Sequence, residues 1–175
     1  YATVAGTASA GADFVASLGT LSFAPGVTSQ TITVAILDDA VYEGAETFAV
    51  TLSAPAGATL GAATSTTTIV DDGSGVGGTD SDVPEVVAVG SPTAAEGGNL
   101  DFAVTLGNAS TTPTTITLTL ASGSATLGAD TGGALVSFDG GASFVAVGGP
   151  SVSVPAGVTS LIVRVPAVDD ATGEP

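Results

Sequence analysis

The chain has 175 residues, and its 17 acidic residues face a single basic residue, Arg164, which gives a formal net charge of −16. Nucleic acids and anionic membrane surfaces are bound through Lys and Arg, so this charge argues against both as partners. The absence of Cys and His excludes disulfides, conventional zinc and copper sites and the Ser-His-Asp triad, and we therefore expect no enzyme activity.

Apolar and polar residues alternate with a period of two through most of the chain, which predicts β-strands, and no segment shows a sustained helical period. The predicted strands, in chain order, are Leu18–Phe23, Gln30–Leu37, Glu46–Leu52, Ala63–Val70, Glu85–Gly90, Asn99–Leu106, Thr114–Leu120, Ala134–Phe138, Ser151–Val154 and Ser160–Val168. Thr, Ser, Gly or Pro interrupts every apolar run, so we expect no direct membrane insertion. Many short strands at this spacing predict an all-β fold built of antiparallel β-sandwiches.

A Gly-rich linker over residues 73–82 divides the chain into two predicted units, residues 1–72 and 83–175. Sequence motifs of the first unit recur in the second: Gly6–Asp13 matches Gly123–Asp130. A turn, a strand and an Asp-Asp pair also recur in the same order.

The repeat is out of phase. Residues 84–120 have no counterpart in the first unit, and residues 47–72 have none in the second. We therefore expect each sandwich to be incomplete at its outer end within this chain.

Acidic residues gather at the ends of predicted strands. Asp38, Asp39, Glu43 and Glu46 lie between two strands, and a shorter version of this run, from Asp169 to Glu174, closes the chain. Carboxylates this close repel one another unless a cation joins them, and clusters of carboxylate oxygens suit hard ions such as Ca²⁺. A solvated turn is the alternative explanation. Without the ion, we expect these groups to raise one another's pKa values and to splay apart.

The first unit resembles a Calx-β domain. The resemblance rests on the motifs Gly6-Thr7-Ala8-x-x-Gly11-x-Asp13-Phe14, Gly19-Thr20-Leu21-x-Phe23-x-Pro25-Gly26, Asp38-Asp39-x-x-x-Glu43-x-x-Glu46-x-Phe48 and Ile69-Val70-Asp71-Asp72. The second unit shows the opening pattern of the same family in Pro92-Thr93-Ala94-x-Glu96-Gly97 and matches it more loosely afterwards. The resemblance implies two tandem Ig-like antiparallel β-sandwich units that bind Ca²⁺ at one end.

The resemblance also implies the calcium ligands. In the first unit they are Asp13, Asp38, Asp39, Glu43, Asp71 and Asp72, with Glu46 and the carbonyl group of Val41 as weaker candidates. In the second unit they are Glu96, Asp130, Asp169, Asp170 and Glu174. Asp80, Asp82 and Glu85 are further candidates for an ion that stiffens the junction between the units.

Two functions follow as hypotheses. The first is a structural calcium-binding repeat of a secreted or cell-surface bacterial protein, such as an adhesin or filament. Its partners would be neighbouring repeats or identical chains, with strands of one chain completing the sandwich of another; a fragment of a longer tandem array is the alternative. The second hypothesis is a calcium-sensing regulatory domain of the kind found in exchanger proteins.

Overall fold

The computed structural model of the protein describes residues 1–74 and 81–169. The chain divides into two compact units, Tyr1–Asp82 and Val83–Pro175. The regular elements in the described ranges are all β-strands, which confirms the predicted all-β fold. Within those ranges there is no helix with the length and apolar character of a membrane span.

The first unit is organised around one antiparallel sheet. Its strands are β1 (Ala2–Ala5), β2 (Val41–Tyr42), β3 (Glu46–Thr51) and β4 (Thr64–Ile69). The sheet has the order β1-β3-β4, with Ala5 opposite Phe48 and Glu46 opposite Ile69. The buried core beneath it consists of Ala8, Phe14 and Phe48. The rings of Phe14 and Phe48 stack with their centroids 4.5 Å apart, so an aromatic pair joins the loop after β1 to the central strand.

Two predicted strands of the first unit, Leu18–Phe23 and Gln30–Leu37, are wrong. Leu18 and Ile36 make only isolated bridges, to Ala2 and Phe14. The physical reason is the lack of a ladder partner. In the second unit, the strand that corresponds to Gln30–Leu37 is Ser160–Pro166. It pairs along its whole length with the strand Asn99–Leu106, which has no counterpart among the described residues of the first unit. Apolar residues therefore alternate in the two segments of the first unit, but the segments do not join a sheet.

The second unit is a sandwich of two sheets. Its strands are β5 (Val86–Val89), β6 (Asn99–Leu106), β7 (Ala109–Ser110), β8 (Thr114–Thr117), β9 (Leu135–Ser137), β10 (Val145–Ala146), β11 (Ser151–Val154) and β12 (Ser160–Pro166). One sheet has the order β10-β9-β12-β6-β5 and the other pairs β11 with β8. Their facing side chains form the core: Val104, Leu106, Ile116, Val136, Val152, Val154, Leu161 and Val163. Six predicted strands of this unit are confirmed, with shifts of a few residues at their ends, whereas the two-residue strands β7 and β10 were not predicted.

Strand β12 shows how alternating residues place apolar side chains in the core and polar side chains on the outer face. Leu161, Val163 and Val165 are buried, and Arg164 points to the other face of the sheet. There Arg164 binds both carboxylate oxygens of Asp101, which lies directly opposite on β6, at 2.7 Å. Its guanidinium group also lies 3.8 Å from the ring centre of Phe144. Arg164 thus ties β12 to β6 on the outer face through a cross-strand pair.

The internal repeat reappears in backbone hydrogen bonds within each unit. The N–H of Leu37 donates to the carbonyl group of Asp13 at 2.9 Å, and the N–H of Val168 donates to that of Asp130, also at 2.9 Å. The two acidic residues therefore sit at equivalent places in their units.

The aromatic stack should dominate the stability of the first unit. Replacing Phe48 by Ala removes a nearly fully buried ring, and we expect a loss of about 3–5 kcal/mol in the free energy of unfolding. Both tyrosines of the chain, Tyr1 and Tyr42, lie in the first unit, so tyrosine fluorescence during urea denaturation reports its unfolding. Phe23→Ala, at a ring that is 52% exposed, is the matched control and should change the stability by about 0.5 kcal/mol or less. Equal effects of both variants would contradict this assignment of the core.

Candidate metal site

A cavity of about 270 Å³ opens at one end of the first unit. Three parts of the chain contribute acidic side chains to it: the loop after β1, the segment that precedes β3, and the end of β4. These side chains are Asp13, Asp38, Asp39, Glu43, Glu46 and Asp71. The structure therefore gathers residues that are up to 58 positions apart in the sequence (71 − 13).

Backbone hydrogen bonds fix the segments that carry these acids. The Asp13 carboxylate accepts a bond from the N–H of Ser9, which closes a tight turn in the loop after β1. The Asp71 carboxylate accepts a bond from the N–H of Glu43 at 3.0 Å, which ties the end of β4 to the segment before β3. Glu46 is the first residue of β3, so the sheet itself sets its position.

Asp13, Glu43 and Glu46 form the tightest group in the cavity. One carboxylate oxygen of each lies within 4.8 Å of the others, and all three side chains are partly buried. Burial, then a hydrogen bond and repulsion from Asp13, raise the pKa of Glu43 from 4.5 to about 7. Burial and the charge of Asp13 also raise the pKa of Glu46. These directions agree with the mutual rise in pKa expected from the sequence, and the three carboxylates lie together at this spacing.

The donor set fits a hard divalent cation. Ca²⁺ binds oxygen ligands at about 2.3–2.6 Å, so two ligands of one ion can lie up to about 5 Å apart. The spacing of 4.8 Å within the group meets this limit. Asp13, Glu43 and Glu46 would hold the ion, and the carboxylates of Asp38, Asp39 and Asp71 line the same cavity as further oxygen donors.

One other candidate of the first unit is engaged differently. Asp72 is exposed, and its carboxylate accepts bonds from the hydroxyl group and the backbone N–H of Ser74, which lower its pKa. The structure therefore does not place Asp72 among the residues that line the cavity. Val41, whose carbonyl group was the weaker candidate, does line the cavity, and its N–H donates to the Asp39 carboxylate at 2.8 Å.

In the second unit, the structure brings together the segments that carry Glu96, Asp130 and Asp169. The side chain of Asp169 lies close to Gly97, the neighbour of Glu96, and the N–H of Val168 bonds to the carbonyl group of Asp130. In the described part of the chain, only Asp13, Glu43 and Glu46 form a group of three acids at metal-binding spacing. Asp170 and Glu174 fall outside the described residues, as does Asp80, so their predicted roles stay predictions. Asp82 is buried, and its N–H donates to the carbonyl group of Asp71 at 3.3 Å.

Sequence reasoning missed the apolar walls of the site. Ile36, Leu37 and Ile69 line the cavity beside the carboxylates, and they provide part of the burial that raises the pKa of Glu43. The signal was present in the sequence, because two of them directly precede the Asp-Asp pair and the third directly precedes Val70-Asp71.

The comparison with known families identifies the first unit. Residues 1–73 match the family model of the Calx-beta domain, which confirms the resemblance drawn from the sequence motifs. The first unit of this chain is a Calx-beta domain.

One curated relative is the sodium/calcium exchanger Calx of Drosophila melanogaster, which is 49% identical over 55 residues. This match spans 31% of the present chain and only 6% of the exchanger. Similar solved structures include the calcium binding domain CBD12 of CALX1.1, at 19% identity and a TM-score of 0.39, and CBD12 of CALX1.2, at 22% identity and a TM-score of 0.40. The matches cover 97% and 95% of this chain and 62% of each solved chain.

The raised pKa of Glu43 predicts two opposite pH effects around neutrality. Without metal, a proton on Glu43 stabilises the folded unit. That contribution is full below pH 4.5 and is lost as the pH rises towards 7. Metal binding competes with the same proton, so calcium affinity should rise with pH up to about 7, by up to about tenfold per pH unit for one proton, and should level off above it.

Calcium titrations and metal-free urea denaturation on either side of pH 7 measure both effects. Glu43→Gln, which keeps the neutral shape, should flatten the two pH profiles. A calcium affinity that does not depend on pH in the unmodified chain would show that Glu43 does not share its proton with the metal site.

Proposed function

We propose that this chain is a calcium-binding regulatory module of the exchanger type, in which Ca²⁺ binds at the end of the first unit. The convergence of Asp13, Glu43 and Glu46 within 4.8 Å carries the proposal. The membership of residues 1–73 in the Calx-beta family supports it, as does the similarity of part of the chain to a sodium/calcium exchanger. The role is one of binding and conformational control, with no catalytic step.

The site suits a sensor because its ligands come from separate segments of the first unit. Ca²⁺ supplies positive charge and coordination that bind the loop after β1, the segment before β3 and the start of β3 to one centre. Without the ion, three partly buried carboxylates share the cavity, and burial and repulsion raise the pKa values of Glu43 and Glu46. Binding therefore changes both the local charge and the order of these segments, and an attached domain can respond to that change.

The alternative of a structural repeat in a bacterial adhesin or filament has no support from the comparisons. The same holds for a secreted or cell-surface location. Affinity separates the two functions. Sensors bind Ca²⁺ with dissociation constants of about 10⁻⁷–10⁻⁵ M, whereas extracellular modules bind with about 10⁻⁴–10⁻³ M. Calorimetric titration of the chain should give a value in the first range, and a value in the second would favour the structural role.

Calcium should stabilise the first unit through Asp13. At about one hundred times the dissociation constant, we expect a gain of about 2.7 kcal/mol in the free energy of unfolding, measured by tyrosine fluorescence in urea with calcium and with chelator. Asp13→Asn should remove most of this gain, because it deletes one charge of the central group.

Asp139→Asn is the matched control, because Asp139 also accepts a backbone N–H bond in a turn, from Ser143 at 2.9 Å, but lies in the second unit. The calcium gain should survive in this variant. An equal loss in both variants, or no gain in the unmodified chain, would refute the proposed site.

A further inference from the structure

The Gly6-Thr7-Ala8 motif holds the loop after β1 against one residue of β3, Thr47. Strand β1 pairs with β3 as far as Ala5. Beyond that point the loop binds both backbone polar groups of Thr47. The N–H of Thr47 donates to the hydroxyl group of Thr7 at 2.8 Å, and its carbonyl group accepts a bond from the N–H of Ala8 at 2.9 Å. These two bonds form a clamp between the loop and the start of β3.

The residues on either side of Thr7 fit this close approach. Gly6 carries no side chain, and a Cβ atom at its position would lie 2.4 Å from the carbonyl oxygen of Thr47, a distance at which the backbone must shift. Ala8 is fully buried in the core of the first unit. Thr7 itself is exposed, so its side chain contributes to the clamp through its hydroxyl group and not through packing in the core.

The clamp lies between two acids of the cavity. On the strand, Glu46 is the neighbour of Thr47. On the loop, Ser9 follows Ala8, and its N–H donates to the carboxylate of Asp13, while its carbonyl group accepts a bond from the N–H of Asp13 at 3.0 Å. A short path of hydrogen bonds therefore joins Asp13 to Glu46. Because carboxylate oxygens of these two residues lie within 4.8 Å of each other, their charges repel, and the clamp opposes their separation.

We propose that Thr7 is a positioning residue of the calcium site, which holds the carboxylate of Asp13 beside that of Glu46 through the clamp; this role rests on the calcium-binding function proposed for the first unit. Without the hydroxyl group of Thr7, repulsion would move the loop away from β3, and calcium binding would have to bring it back at a cost in affinity. A bond that only stabilised the fold would change the free energy of unfolding equally with and without calcium, and would leave the affinity unchanged.

Calorimetric calcium titration of the Thr7→Val variant tests this role. Valine keeps the branched shape of threonine but cannot accept the N–H of Thr47. We expect the dissociation constant to rise by about fivefold, the factor that corresponds to one hydrogen bond of ordinary net strength. Thr7→Ser keeps the hydroxyl group and should restore the affinity of the unmodified chain. Circular dichroism checks that each variant is folded.

Thr51→Val is the matched control. The hydroxyl group of Thr51 donates to the carbonyl group of Ala2 at 3.2 Å, at the end of the β1–β3 pair that lies away from the cavity. This variant should lower the free energy of unfolding of the first unit without changing its affinity for calcium. Equal affinities of the Thr7→Val and unmodified chains, or equal losses in Thr7→Val and Thr51→Val, would overturn the proposal. Absence of calcium binding by the unmodified chain would instead refute the calcium site itself, and the role of Thr7 with it.

Two further measurements test the clamp by other means. Gly6→Ala places a Cβ atom against the carbonyl oxygen of Thr47, and it should also weaken calcium binding although no hydroxyl group is removed. Amide hydrogen exchange at Thr47 should be faster in Thr7→Val than in the unmodified and Thr7→Ser chains, because its N–H loses its acceptor. An unchanged exchange rate, or a Gly6→Ala chain that binds calcium like the unmodified one, would show that the clamp does not hold the site and would overturn the proposal.

Discussion

The mutual repulsion of three carboxylates at one end of the first unit is the constraint on which the site depends. One carboxylate oxygen of each of Asp13, Glu43 and Glu46 lies within 4.8 Å of the others, a spacing at which like charges repel one another. Burial and this repulsion raise the pKa values of Glu43 and Glu46, and a divalent cation would offset the same repulsion while the carboxylates stay charged. A site built in this way would therefore respond to such an ion.

The aromatic core and the acidic site are built from the same segments of the chain. Asp13 directly precedes Phe14, and Glu46 is two residues before Phe48. Because the two rings stack at 4.5 Å, the acids beside them are brought to the same end of the unit. Apolar packing thus positions the loop after β1 and the start of β3. The repulsion between the charged groups that these segments carry would be offset by a proton or an ion. An ion bound there would act directly on segments anchored to the core.

Sequence patterns predicted most of the second unit, because its alternating strands find partners in the described chain. They failed at Leu18–Phe23 and Gln30–Leu37, where alternation is present but no described strand supplies the ladder. Strand β1 escaped prediction because its four residues, Ala-Thr-Val-Ala, carry little pattern. The acidic candidates of the cavity were implied by the resemblance to Calx-β domains, and the cluster of Asp38, Asp39, Glu43 and Glu46 was also visible in the sequence itself. The sequence could not show which of these acids form the tight group, which only line the cavity, and that Asp72 lies apart. This division depends on turns closed by single hydrogen bonds, such as the one from the N–H of Ser74.

Crystallography of the chain in the presence of calcium, with anomalous scattering to locate the ion, tests the central claim most directly. The account predicts an ion at the end of the first unit, with oxygen atoms of Asp13, Glu43 and Glu46 at about 2.3–2.6 Å. A well-ordered first unit in calcium that holds no ion there, with Glu43 still hydrogen-bonded to Asp13, would contradict it.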